Sequence, residues 1–134
     1  MARIPAPQPD GVTQAWWNAT AEKRLMIQKC CNCGHFQHFP RPFCLSCEND
    51  ALDLIEVSGR GTIQSFSVIH RSPYDDLPAP YVIALVDLEE GVRLLTRMVD
   101  CDIERLSCDE PVSLRWIKSP GENAFYLPVF ALEA

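Results

Sequence analysis

The chain has 134 residues, which is enough for one domain or two small modules. Eighteen Asp and Glu against 12 Lys and Arg leave a formal net charge of −6, which argues against a general nucleic-acid binder or a protein that docks on anionic lipid. A hydrophobic share of 47% is too high for a disordered chain, and no apolar run approaches the ~20 residues that cross a bilayer. Met1 to Gly11 reads as a flexible or extended lead, because Pro5, Pro7 and Pro9 leave no room for a helix. It lacks the apolar segment of a signal peptide, so the cytoplasm is the expected compartment. Val12 to Met26 is predicted helical, with Asp10 or Thr13 as cap and with Val12, Trp16, Ala19 and Lys23 on one face. Trp16 and Trp17 together are more aromatic surface than a small monomer leaves in water. Either one of them packs on the domain, or the helix is an arm for a partner.

After Asn49 the pattern turns to β. Leu52 to Val57 looks extended, and Gly59-Arg60-Gly61 bends the chain. Thr62 to His70 alternates, which places Ile63, Ser65, Ser67 and Ile69 on one side. Ser72 to Pro80 is a loop stiffened by three prolines, which presents Tyr74 and Leu77 as candidate partner anchors. Tyr81 to Leu88 is a strand, Glu89-Glu90-Gly91 a solvated hairpin turn, and Val92 to Val99 the returning strand. On that strand Arg93 and Arg97 share one face, and Val92, Leu94 and Met98 the other. Asp102 to Ser107 fits one helical turn. Pro111 to Ile117 and Ala124 to Leu132 complete five strands, in the order of a five-stranded Greek-key OB barrel. The expected fold is therefore mainly β: a lead (1–11), a helix plus metal ribbon (12–58) and a barrel (59–134).

The metal reading rests on spacing. Cys30-x-x-Cys33 and Cys44-x-x-Cys47 are separated by the ten residues Gly34 to Phe43. Each hook points two thiolates the same way, and two facing hooks complete a tetrahedron. Zinc is the expected ion, and iron is the other metal that four thiolates accept. All four positions are filled by protein, so the site is structural rather than catalytic. Gly34 suits the knuckle after Cys33, whereas Glu48 stands where glycine would be easier after Cys47. Cys31 has the wrong spacing for a hook, and His35 and His38 are surplus to four thiolates. Cys101 and Cys108 are expected as small buried residues.

No catalytic set emerges. Gly-x-Ser-x-Gly, Walker and Gly-x-Gly-x-x-Gly patterns are absent. His70 beside Arg71, Asp75 and Asp76 is the nearest approach to an acid–base group, and a solvated loop explains it more simply. A ribbon and a barrel also suit a single-stranded nucleic-acid-binding module. That alternative wants aromatics interleaved with cations, and Arg93 and Arg97 are the only such pair.

The joint order of these parts resembles the Zn-ribbon/OB-fold acyl-CoA-associated family over roughly residues 10 to 133. The matching marks are Trp16-Trp17, Arg24-Leu25, Gln28, Cys30, Cys33-Gly34, Pro40-Arg41, Cys44 and Cys47. They continue through Val57-Ser58-Gly59-Arg60-Gly61-Thr62 and from Pro80-Tyr81 to Gly91. The resemblance implies an accessory subunit in a hetero-oligomer with a thiolase-like protein, and in some members with a hydratase. Such complexes bind acyl-CoA and form or cleave its carbon–carbon bonds, as thiolases, acyltransferases or retro-aldolases, for instance in steroid side-chain or aromatic degradation. It places the catalytic residues on the partner and none on this chain. Trp16, Trp17, Tyr74 and Leu77 are then the candidate partner contacts.

Overall fold

The computed structural model describes residues 3–133. The lead, residues 3–10, forms neither helix nor strand and is tied to the rest of the chain by the Ile4 amide, which donates to Asp76 Oδ1 at 3.0 Å. Helix α1 (Gln14–Ala21) follows. Asp10 sets its start: its Oδ1 accepts from the Val12 and Thr13 amides, each at 2.9 Å, whereas Thr13 makes no side-chain cap bond. The same two amides, Thr13 first, hold the Asp10 carboxyl below its usual range. The buried helix positions are Thr13, Trp16 and Thr20, and Val12 is exposed.

The helix stops five residues before its expected end. Lys23 takes a left-handed φ of 57°, the Lys23 and Arg24 amides return to Thr20 and Ala19, and the chain reverses. Met26, expected in the helix, instead begins strand β1 (Met26–Cys30). The two-residue strand β2 (Phe36–Gln37) pairs with one edge of β1 and β3 (Leu52–Glu56) with the other, giving the order β2-β1-β3. Pairing of Met26 with Glu56, thirty residues on, outweighs the local helical preference.

The remaining strands are β4 (Arg60–Ile69), β5 (Tyr81–Leu88), β6 (Arg93–Met98), β7 (Pro111–Lys118) and β8 (Tyr126–Leu132). They close a barrel in the order β4-β5-β6-β8-β7, with a short 3-10 turn at Ile103–Arg105 between β6 and β7. All neighbours are antiparallel except β6 and β8, as a Greek-key closure requires. Gly91 turns the β5–β6 hairpin at a φ of 95°. Gly61 stands where β4 meets both β5 and β7, and a Cβ there would lie 2.4 Å from the Asp87 carbonyl oxygen. Only glycine allows that approach.

The alternation expected on β4 breaks. Ile63 pairs with Val86 and Ser65 with Leu85, which leaves Gln64 as a bulge. One extra residue switches faces. Ile63 is fully buried, Phe66 and Val68 pack against the core, and Ser65, Ser67 and Ile69 do not share the Ile63 side. Val82, Ala84, Val86 and Leu88 of β5 fill the barrel with Phe130 and Val112. The same core continues through Leu25, Ile27 and Trp16 under the ribbon.

The Glu89-Glu90 turn is more than a solvated hairpin. Glu89 pairs with Arg60 at 3.0 Å, and Glu90 Oε2 accepts the Ser58 amide at 2.8 Å, which holds the entry into β4. Cys101 is half-buried and packs against the core, whereas Cys108 lies exposed on the turn where Asp109 takes a φ of 71°, so only Cys101 comes near its expected place. Among the described residues no helix is long and apolar enough to cross a membrane.

Candidate metal centre and docking cleft

Two knuckles of the same construction carry the four cysteines. In the first, the Gly34 amide donates to the Cys30 carbonyl and the Cys30 amide to the His35 carbonyl, both at 2.9 Å. In the second, the Glu48 amide donates to Cys44 at 2.9 Å and the Cys44 amide to Asn49 at 2.8 Å. Each tight turn lifts two sulfurs to one side. All four Sγ atoms lie within 4.8 Å of one another, with Cys30 and Cys47 at 3.6 Å and Cys33 and Cys44 at 3.6 Å. Four thiolates around zinc at ~2.3 Å stand about 3.8 Å apart, so the donor set fits a tetrahedral ion.

The electrostatics fit a cation as well. The Asn49 amide and the Asn32 side chain pull the Cys47 thiol down to about 6. The His35 amide lowers Cys33 too, but desolvation and the sulfurs of Cys47, Cys44 and Cys30 outweigh it and push that thiol to about 11. Four thiols this close share protons unless a cation replaces them.

The surplus residues fall outside the cluster. Cys31 Sγ donates to Asp53 Oδ2 at 3.1 Å, a bond that raises its pKa and turns it away. His38 packs on Trp16 and Phe39, with its Nδ1 buried and unpartnered, and burial lowers its pKa to about 4. The residue that sequence reasoning missed is Gln37. Its Nε2 donates to Gln28 Oε1 at 2.6 Å and its Oε1 accepts the Leu45 amide at 2.9 Å, while Gln28 grips both backbone groups of Arg41. This buried pair ties the second knuckle to β1 and β2. No spacing rule announces a glutamine in that role.

The four candidate partner residues converge. Trp16, Trp17, Tyr74 and Leu77 all line one open cleft of about 570 Å³. Trp16 is its buried floor, 4% exposed, with Nε1 donating to the Met26 carbonyl at 2.9 Å. Trp17 is half-buried against Trp16, Phe39 and Phe125. Tyr74 and Leu77 are half-buried rather than exposed, because the lead runs beside their loop. The opposite wall is the outer face of β6, Arg93, Leu95 and Arg97, with Leu127 and Pro128 of β8. His70 is exposed just past the end of β4.

Comparison with known proteins follows this geometry. Residues 17–53 match the rubredoxin-like zinc ribbon domain of ChsH2, and residues 54–116 match the ChsH2 C-terminal OB-fold domain. A solved structure described as an Ltp2-ChsH2(DUF35) aldolase superposes with a TM-score of 0.84 and 34% identity, over 94% of this chain and 98% of the matched one. A probable enoyl-CoA hydratase alpha subunit of Thermomonospora curvata is 37% identical over 86% of this chain, which spans only 35% of that protein. The benzoylsuccinyl-CoA thiolase subunit BbsA of Geobacter metallireducens is 31% identical over 64% of this chain and 57% of its own length.

Proposed function

The chain belongs to the ChsH2 family, carrying its zinc ribbon and its OB-fold domain, and from that membership we propose that it is an accessory subunit of an acyl-CoA enzyme complex. Its partner is a thiolase-fold protein that owns the catalytic residues and forms or cleaves a carbon–carbon bond of the acyl group. The observation that carries this reading is the likeness to nearly the whole of one chain of an aldolase assembly. The thiolase-subunit relative supports the partner class.

Zinc is the proposed ion, held by Cys30, Cys33, Cys44 and Cys47. Bound there it supplies cross-linking of two loops, not Lewis-acid chemistry, since no ligand position is left open. The working division remains 1–11, 12–58 and 59–134. An odd count of seven cysteines, four of them the proposed zinc ligands, fits a reducing cytoplasm. The nucleic-acid alternative loses support because Arg93 is already paired with Asp87 at 2.6 Å.

The test is co-expression with the thiolase-fold chain encoded nearest in the source genome, followed by chromatography with light scattering. A hetero-oligomer, two copies of each chain in its simplest symmetric form, is expected. Separate elution at micromolar concentration refutes the reading.

A further inference from the structure

The proposed function leaves open which surface meets the partner and what the partner brings to it. The outer face of β6 holds the most exposed large apolar side chain among the described residues, Leu95, at 66%. Leu95 stands between two hollows: the 570 Å³ cleft, and a second of about 240 Å³ lined by Ser65, Ser67, Ile83 and Leu85. Register explains the patch, since Leu95 lies opposite Leu85 and Leu85 opposite Ser65. The result is an apolar ridge with a hollow on each side, the relief that a packed interface needs.

The charges around the ridge are one-sided. In a chain of net charge −6, the charged side chains that line the cleft are Arg93 and Arg97, with no carboxylate. Arg93 is neutralised by Asp87. Arg97 is half-buried and has no ion-pair partner among the described residues. A guanidinium partly withdrawn from water beside an apolar wall is costly until a carboxylate meets it. A second copy of this chain suits the face poorly, because a twofold contact centred here sets one Arg97 against the other.

We propose that this face, the Leu95 ridge with the cleft beside it, seats a segment of the thiolase-fold partner that places an apolar side chain in the cleft and an Asp or Glu on Arg97. This rests on the accessory-subunit reading and gives it a docking surface and a partner chemistry. The indole of Trp17, the ring of Tyr74 and the side chain of Leu77 form the walls that the apolar side chain meets.

The experiment measures affinity of the full-length chain for that partner, as wild type, Arg97→Glu, Leu95→Asp and, as a charge control, Arg105→Glu on the exposed 3-10 turn. Zinc content and melting temperature verify folding of each variant. Arg97→Glu and Leu95→Asp should each weaken binding by at least about tenfold, and Arg105→Glu by less than about twofold. A photo-crosslinking residue at position 95 should attach to a partner peptide in which Asp or Glu lies within a few residues of an aliphatic or aromatic side chain. If the wild-type complex forms and both variants bind like wild type, or the crosslinked peptide carries no acid, the docking proposal is overturned while the accessory role stands. If the wild-type chains do not associate, the accessory reading fails, and this face with it.

Discussion

Gly34 and Glu48 occupy the same place in the two knuckles, four residues after Cys30 and Cys44, and both take a left-handed φ, 77° and 66°. A side chain there costs on the order of 1–2 kcal/mol that glycine does not pay. Glu48→Gly should therefore stabilise the zinc-loaded protein by about 0.5–1 kcal/mol, read as a rise of a few degrees in melting temperature. An unchanged or lower value would mean that the Glu48 side chain contributes more than its backbone strain removes. Gly61 gives the opposite sign. The Cβ of Gly61→Ala meets the Asp87 carbonyl oxygen at 2.4 Å and the Val86 side chain at 2.9 Å, at the seam that closes the barrel. Its cost should reach about 1–3 kcal/mol in chemical denaturation, the range of an overpacked core site.

At the scale of the element, the ribbon is expected to depend on the proposed ion. A three-stranded sheet of this size, with one strand of two residues, buries too little to stand by itself, so metal binding and ribbon folding are one event. Cys44→Ser should reduce bound zinc to well under half an ion per chain by elemental analysis, with loss of the ribbon signals in a two-dimensional NMR spectrum. Full occupancy in that variant would mean that another residue completes the site. Zinc displaces the thiol protons as it binds, so its affinity should fall as pH is lowered, read as release of zinc to a chromophoric chelator in acid.

For the whole molecule the question is association. Trp17→Ala and Tyr74→Ala should each weaken the hetero-oligomer by about 1–3 kcal/mol without changing zinc content, as the aromatic walls of the cleft. Titration calorimetry on the co-purified partner decides it, and wild-type affinity in both variants would move docking elsewhere. Phe43 and Leu45 on the ribbon, 49% and 60% exposed, are then the next surface to test. The isolated chain should show no turnover of acyl-CoA esters. In the complex, His70→Ala should leave activity within about tenfold, because His70 stands exposed on the loop side of β4 and does not line the cleft.

Features written in short stretches of chain were legible before any fold was known. Two Cys-x-x-Cys hooks ten residues apart bring four sulfurs together because each hook is a local turn. Five strands and the Gly91 turn follow from alternation and a positive φ, also local properties. The tertiary structure decided whatever depends on distant partners. Pairing of Met26 with Glu56 shortened the helix, and the bulge at Gln64 inverted half of β4. A glutamine pair nine residues apart became the ribbon's buried tie. The cleft itself joins the lead, α1, the proline-rich loop and β6, segments separated by up to about ninety residues. Nothing in the pattern of any one of them marks it as a wall, because burial and charge pairing are set only when the pieces meet.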